Sequence, residues 1–543
     1  MLHINVMEYF LRTAKNHPAK IACQDKYRSI SFEALAKECF TLSSNLLNTT
    51  SYSSEQARLT NIASDFYHLY NPPQCYALFL PKSIESLVAL FGVLLSGNMY
   101  MPLDVKSPKE RLRNILCNIQ PQALIADTKH LGVLSDCLGE SFDSKESVCY
   151  LESNCQESFC MQILLIEDLL RESIMKQTKY QYRIDTDPAY IINTSGSTGI
   201  PKGVVVSHRS VIDYIEWIIS EDSLRPSVND IIGNQSPFYF DKSLFDIYPS
   251  IALGVKLLLI PEEKFLFPLE LLRFVEQKHV NYIYWVPSIL KNIANLDLLK
   301  VCKPKLEKIF FGGEAINAKT LNYWIANYPN ATFANLYGPS EITDICAYHI
   351  VKRTFHDKEI IPIGKACRNT QILLLDSGNK LIHTSFTTGE LYIRGSCLSL
   401  QYCRDTEKSQ RAFIQNPLHT NFYDKVYKTG DLGYYNEHGE IVLVGRKDFQ
   451  IKHNGYRIEL GEIENILANH KKIQDVCVLY RQEEIVLCYQ GETITHQEII
   501  QYCKDKIPKY AMPSKLFKID SMPLNANGKI DRQKLLDWLK LQS

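Results

Sequence analysis

The densest run of reactive chemistry in this sequence is Thr194-Ser-Gly-Ser-Thr-Gly-Ile-Pro-Lys-Gly203. Its small residues Thr194, Ser195, Gly196, Ser197, Thr198 and Gly199 let backbone N–H groups and hydroxyls close around an anion; Pro201 stops a helix and Lys202 adds a cation. No Gly-Lys-Ser/Thr follows the glycines, so this is not the P-loop of nucleotidases. The apolar runs Ala189-Tyr-Ile-Ile192 and Val204-Val-Val206 flank it, which a plain Ser/Gly linker would not require. Taken alone, three further places have plainer readings. Asn335-Leu-Tyr-Gly-Pro-Ser-Glu341 reads as a turn with a solvated acid, Asp431 as a turn-capping aspartate and Lys529 as a solvated lysine.

These residues need elements to position them. Apolar runs such as Lys256-Leu-Leu-Leu-Ile260 and Lys308-Ile-Phe-Phe311 alternate with stretches of helical period such as Ser83 to Leu95 and Pro268 to Gln277, the pattern of an α/β fold with buried strands. From about Gly364 to Val444 short strands separated by Gly, Asp and Asn turns predict a β-barrel-like or β-rich subdomain. A unit with its own strand and helix signals follows Gly445-Arg-Lys-Asp448. The expected organisation is a large domain over 1–447, with two α/β subdomains and the β-rich one, and a small α+β domain over 448–543. The polar stretches Asn48 to Pro73 and His130 to Glu157 are expected to be surface excursions.

Composition excludes several classes. A chain of 543 residues exceeds one ordinary core. Lys+Arg and Asp+Glu are both 60, so no basic excess points to nucleic acid. The sixteen cysteines are scattered, with no Cys-x-x-Cys pair, and are expected to be free thiols in a reducing, cytoplasmic setting. The apolar run nearest spanning length, Ser86 to Leu95, falls far short of the roughly 20 residues a bilayer needs, so no membrane partner is expected.

The loop at Thr194 resembles the most recognisable motif of the acyl-adenylating superfamily, which includes non-ribosomal peptide synthetase adenylation domains, acyl-CoA synthetases and luciferases. The resemblance runs along most of the chain, in the family's order. It takes in Ser96 to Asp104, Phe240-Asp-Lys-Ser243, Phe311-Gly-Gly-Glu314, Asn335 to Glu341, Gly389 to Gly395, Tyr427-Lys-Thr-Gly-Asp-Leu432, Gly445 to Asp448, Asn454-Gly-Tyr-Arg-Ile-Glu459 and Asn525 to Asp531. One departure is Gly395-Ser-Cys-Leu-Ser-Leu-Gln-Tyr402, where the family has a Gly-Leu-Ala-Gly-Tyr-like stretch.

The resemblance implies ATP and Mg²⁺ as cofactors. Gly313, Glu314, Asn335 and Tyr337 then belong to the nucleotide site, Tyr337 stacking on the purine and Asn335 reading its edge, with Glu341 as the Mg²⁺ ligand. Asp431 and Arg446 hold the ribose, Lys202 and Lys529 counter charge at the phosphates, and Asp448 is the hinge of a mobile small domain. Asp241 matches the aspartate that pairs with an α-ammonium in amino-acid-activating members. The remaining pocket positions are Lys242, Phe245, Tyr284, Phe310, Gly312, Leu336, Asp344 and Ile345, which imply a small or compact substrate. Lys242 and Asp344 either pair or meet a polar substrate group.

Only about a dozen residues follow Asp531, too few for a carrier domain. The resemblance therefore implies a free-standing, monomeric enzyme that loads the phosphopantetheine thiol of a separate carrier protein, similar to the subgroup of D-alanine–carrier protein ligase. The alternatives are an acyl- or aryl-CoA ligase, and a catalytically silent nucleotide-binding protein.

Overall fold

A computed structural model describes residues 3–51, 72–140, 142, 147–152, 158–171, 183–196, 200–524 and 530–542. Its apolar runs become strands covered by helices on both faces, the arrangement that parallel sheets require. Among the described residues one sheet runs in the order Lys365–Ala366, Ala347–Val351, Thr332–Tyr337, Lys308–Gly312, Tyr282–Trp285, Ile231–Asn234, Lys256–Leu259, Ile21–Gln24 and Ser29–Ser31. It is parallel from Thr332–Tyr337 to Ile21–Gln24 and antiparallel at both edges. A second sheet runs Gln401–Tyr402, Lys202–Ser207, Pro188–Thr194, Met99–Pro102, Cys75–Phe79, Ala123–Ala126, Ser158–Leu165 and Ser147–Glu152, again parallel in its interior.

Between the sheets lies a helix that is apolar on every side, Ile84–Leu95, with all but one residue buried. Ser83 caps it by accepting the Ser86 N–H at 3.2 Å, satisfying one donor the first turn leaves open. Gly92 allows the helix Phe32–Ser51 to approach closely, because a Cβ there would lie 2.6 Å from Leu42. The outer face of the first sheet is covered by Pro268–Gln277, Pro287–Asn295 and Ala318–Asn327, two of which begin with proline, whose fixed φ suits a first helical turn. Helices Lys109–Ile119 and Leu131–Leu138 cover the second.

The β-rich segment is a five-stranded antiparallel sheet built on the long strand Lys425–Tyr435. After it come the hairpin Gln450–His453/Tyr456–Glu459 and a three-stranded sheet, Ile473–Arg481, Glu484–Gly491 and Lys515–Lys518, with their own apolar clusters. Of the two polar stretches expected at the surface, Asn48 to Pro73 lies mostly outside the described residues. The described part of His130 to Glu157 is not a surface excursion: Leu134, Cys137 and Leu138 are buried, and Ser147–Glu152 extends the second sheet by pairing with Ser158–Leu165. Its edge position leaves Val148 and Tyr150 exposed, which is why its alternation did not stand out in the sequence.

Candidate active site

Parallel α/β sheets bind ligands beyond the carboxyl ends of their strands, and the cavity here lies where the ends of both sheets meet the small C-terminal unit. It measures about 140 Å³. Of the residues singled out from sequence, Thr194, Ser195, Asp241, Lys242, Tyr284, Gly313, Leu336, Asp344, Asp431 and Arg446 line it. Ser197, Thr198, Gly199 and Lys529 lie outside the described residues.

The anion-type loop joins two antiparallel strands, with Thr194 opposite Lys202 in register. Gly196 is obligatory, since a Cβ there would come within 2.1 Å of the Ile200 carbonyl. Among the described residues the Thr194 hydroxyl and both amide atoms of Asn193, buried next to the cavity, have no hydrogen-bond partner. Unpaired buried polar atoms are costly, so their place in the wall points to a polar ligand. Asn193 was not singled out in the sequence, although a polar residue ending an apolar strand was the available signal.

Asp241 opens a short 3-10 turn, Asp241–Ser243, before the helix Leu244–Leu253. Burial pushes its carboxyl above the ordinary 3.8, and the Ser340 side chain and the Lys242 N–H, donating at 2.8 Å, offset part of that. A cation set against it would be stabilised. Phe245 and Phe310 stand behind the cavity wall, the Phe245 ring 4.8 Å from Tyr284 and 5.9 Å, edge to face, from Phe310, while Ile345 is buried and does not line the cavity. Gly312 accepts from Lys242 Nζ at 3.2 Å.

Beneath Lys242, Asp246 is fully enclosed. One carboxyl oxygen accepts from Asn234 at 2.9 Å and the other has no partner among the described residues; Lys242 and Lys82 are the cations that act on it. Burial pushes its pKa up to about 7. Between 3.8 and about 7 the folded chain holds a proton that the unfolded chain has released, so this group makes stability fall as pH rises through that window. Asp246→Asn should flatten the dependence, read as the urea midpoint against pH.

The nucleotide-side residues are held differently from the expectation. Asn335 donates its amide N–H to the Pro362 carbonyl at 2.8 Å, and the Tyr337 hydroxyl donates to Asp431. The Lys452 ammonium lies 5.4 Å over the Tyr337 ring, where a purine was expected to stack. Both Asp431 oxygens are taken, the second by Arg446 at 2.6 Å. Arg446 also forms a two-pronged pair with Asp448, at 2.6 and 2.7 Å.

The small unit accounts for this. Its hairpin turns on Asn454 and Gly455, both at positive φ (52° and 81°), the pair that two-residue hairpins favour. The tip enters the cavity: the Gly455 N–H donates to Glu314 at 2.6 Å, and the Ser195 hydroxyl donates to the Arg457 carbonyl at 2.8 Å. Arg457 pairs with fully buried Glu341 at 2.7 Å, and the Tyr402 hydroxyl donates to the other oxygen at 2.9 Å. Burial works to raise the Glu341 pKa, yet Arg457 and Lys202 together hold it down at about 2. Lys202 itself, 5.0 Å from the Tyr402 ring centre, is pushed down by burial. Gln450, Lys452 and Tyr510 thus join a site in which the sequence marked, from the small unit, Lys529, Asp448 and the Asn454 to Glu459 segment, with Tyr456 and Arg457 of that segment also lining the cavity.

A profile of the family described as AMP-binding enzyme matches residues 47–403. The chain belongs to this family. A profile described as AMP-binding enzyme C-terminal domain matches residues 462–529. This AMP-binding enzyme is 30% identical to Bacitracin synthase 3 of Bacillus licheniformis over 465 residues, 84% of the chain and 7% of that synthase, so it spans only a small part of that relative. It is 30% identical to Zwittermicin A synthase ZmaJ of Bacillus cereus over 480 residues, 86% of the chain and 85% of ZmaJ. Its fold matches that of the Vibrio cholerae adenylation domain AlmE, solved in complex with glycyl-adenosine-5'-phosphate, with a TM-score of 0.79 at 22% identity over 99% of this chain and 98% of that one. The AMP-binding enzyme thus has the mixed α/β fold of an adenylation domain, a large N-terminal part and a small C-terminal part. Among the described residues no helix is long and apolar enough to cross a membrane.

Proposed function

We propose that the chain activates an amino acid with ATP, forming an aminoacyl-adenylate and pyrophosphate, and passes the aminoacyl group to the phosphopantetheine thiol of a carrier protein. Asp241 carries the reading. It faces the same cavity as the unpaired Asn193 and Thr194 groups and the Asp431–Arg446 pair, so an α-ammonium on Asp241 directs the carboxylate toward the polar loop.

In the first step a substrate carboxylate oxygen bonds to the α-phosphorus while the bond to pyrophosphate breaks. Lys202 and Lys529 counter the charge on the phosphates. A magnesium ion suits a single hard carboxylate completed by phosphate oxygens, and Glu341 would hold it, supplying positive charge beside them. In the second step a thiolate attacks the acyl carbon, and AMP departs with the carboxylate oxygen.

The two steps need different placements of the small unit, residues 448–543, against the core, residues 1–447. With Arg457 and Tyr402 on its two oxygens, Glu341 is engaged, so the docked hairpin fits the transfer step. Rotation about Asp448 would withdraw Arg457 from Glu341, freeing the oxygen it holds, and open the Arg446–Asp448 pair for adenylation.

The test is ATP–pyrophosphate exchange across the standard amino acids and D-alanine, against fatty and aryl acids. Exchange driven by one or a few amino acids supports the proposal. Exchange driven only by fatty or aryl acids makes the chain an acyl- or aryl-CoA ligase instead, and no exchange with any acid makes it a silent nucleotide-binding protein.

A further inference from the structure

The substrate pocket contains two opposite charges that do not meet. Lys242 Nζ donates to the Gly312 carbonyl at 3.2 Å and stands 3.7 Å from the Tyr284 ring centre, while Asp344 accepts the Tyr214 hydroxyl at 2.7 Å. Both are buried apart from the surface they show to the cavity, and each is held by a neutral partner, Lys242 by the Gly312 carbonyl and Asp344 by the Tyr214 hydroxyl. Holding a cation and an anion apart in an interior forgoes the attraction that would offset their desolvation.

The backbone is also strained to keep this arrangement. Thr343 and Asp344 are both in the left-handed region, at φ 63° and 69°. For a β-branched threonine that conformation is unfavourable, and such strain persists where the surroundings impose it, typically at ligand sites. The Thr343 hydroxyl fixes the turn by donating to the Cys397 carbonyl at 2.8 Å. Gly312 clears the space opposite, since a Cβ there would lie 2.2 Å from the Leu336 carbonyl oxygen and 2.9 Å from the Tyr284 hydroxyl.

We propose that this part of the pocket recognises a neutral substrate side chain that both donates and accepts a hydrogen bond, a hydroxyl or a primary carboxamide, with its oxygen toward Lys242 and its O–H or N–H toward Asp344. The inference rests on the amino-acid reading above. A carboxylate side chain would satisfy Lys242 but meet Asp344, and an ammonium would do the reverse. An alkyl group would leave both unsatisfied, at the full cost of buried unpaired groups.

The experiment compares kcat/KM for pyrophosphate exchange with serine, threonine, asparagine and glutamine against alanine, valine, leucine, aspartate and lysine, in the parent, Lys242→Met and Asp344→Asn chains. Asparagine tolerates the left-handed conformation at position 344. The best substrate should be a hydroxyl or carboxamide amino acid, exceeding its alkyl isostere (valine for threonine, leucine for asparagine) by roughly tenfold or more. Serine and threonine against asparagine and glutamine decides which group the pocket takes. Each variant should lose most of that preference, through a fall for the hydroxyl or carboxamide amino acid and, in Lys242→Met, a rise for the alkyl isostere as one unsatisfied group is removed.

An alkyl or a charged amino acid as the best substrate would overturn the inference and leave the amino-acid reading intact. Exchange with no amino acid would overturn both. The parent panel alone decides the matter should a variant fail to fold.

Discussion

Asp241→Ala should lower kcat/KM for amino-acid-dependent pyrophosphate exchange by about two to four powers of ten. Removing one partner of a buried ion pair costs about 3–5 kcal/mol, because the other charge is left without compensation, and each 1.4 kcal/mol is about tenfold. The carboxyl faces a small cavity, and the donors around it, the Ser340 side chain and the Lys242 N–H, do not carry the full charge that an ammonium does. The loss should fall on substrates that have an α-ammonium. With the matching acid lacking its amino group, parent and variant should react at similar low rates. If the variant loses as much with the amine-free acid, Asp241 supports the fold of the turn Asp241–Ser243 and does not bind substrate.

Glu341→Gln should lower kcat for exchange by roughly a hundred- to a thousandfold, the usual cost of losing one preorganised electrostatic group at a phosphoryl centre, and raise the magnesium concentration needed for half-maximal rate. It should also act on the protein without substrate. Arg457 would keep its charge while its partner became neutral, so the docked hairpin would lose a buried pair worth about 3–5 kcal/mol on removal of one member. Protease cleavage near 446–449, where the two parts join, should accelerate. A variant whose exchange and cleavage both match the parent would remove Glu341 from the metal site and from the docking contact together.

Much of this arrangement was legible in the sequence because period and punctuation coincide with the elements. Pro268–Gln277 forms where its spacing predicted a helix, and the strands flanking Thr194 pair as the apolar runs required. Phe240-Asp-Lys-Ser243 marked Asp241, Lys242 and the pocket they share with Tyr284 and Leu336. The occupancy of the nucleotide side was not legible. Motif residues were read as if free, whereas Asn335, Tyr337, Asp431 and Glu341 are all engaged by protein partners, several brought from far along the chain. Arg457 is 116 residues from Glu341, and no local pattern reports a pair of that separation. The Asn454-Gly455 turn did announce a hairpin, but only the packed small unit shows that its tip enters the cavity. Likewise, the sequence left open whether Lys242 and Asp344 pair, since the answer depends on the left-handed turn at 343–344 and on Tyr214, which lies in another helix, His208–Ser220.

The central claim is that the acid is activated through an adenylate, and oxygen transfer tests it most directly. The chain is incubated with ATP, magnesium and its preferred amino acid carrying heavy oxygen in the carboxylate, with hydroxylamine present as the acceptor nucleophile. Attack of a carboxylate oxygen on the α-phosphorus, followed by attack of hydroxylamine on the acyl carbon, leaves one labelled oxygen in AMP, visible as a mass shift, together with pyrophosphate and the hydroxamate. Unlabelled AMP, or ADP and phosphate in place of AMP and pyrophosphate, would contradict the account.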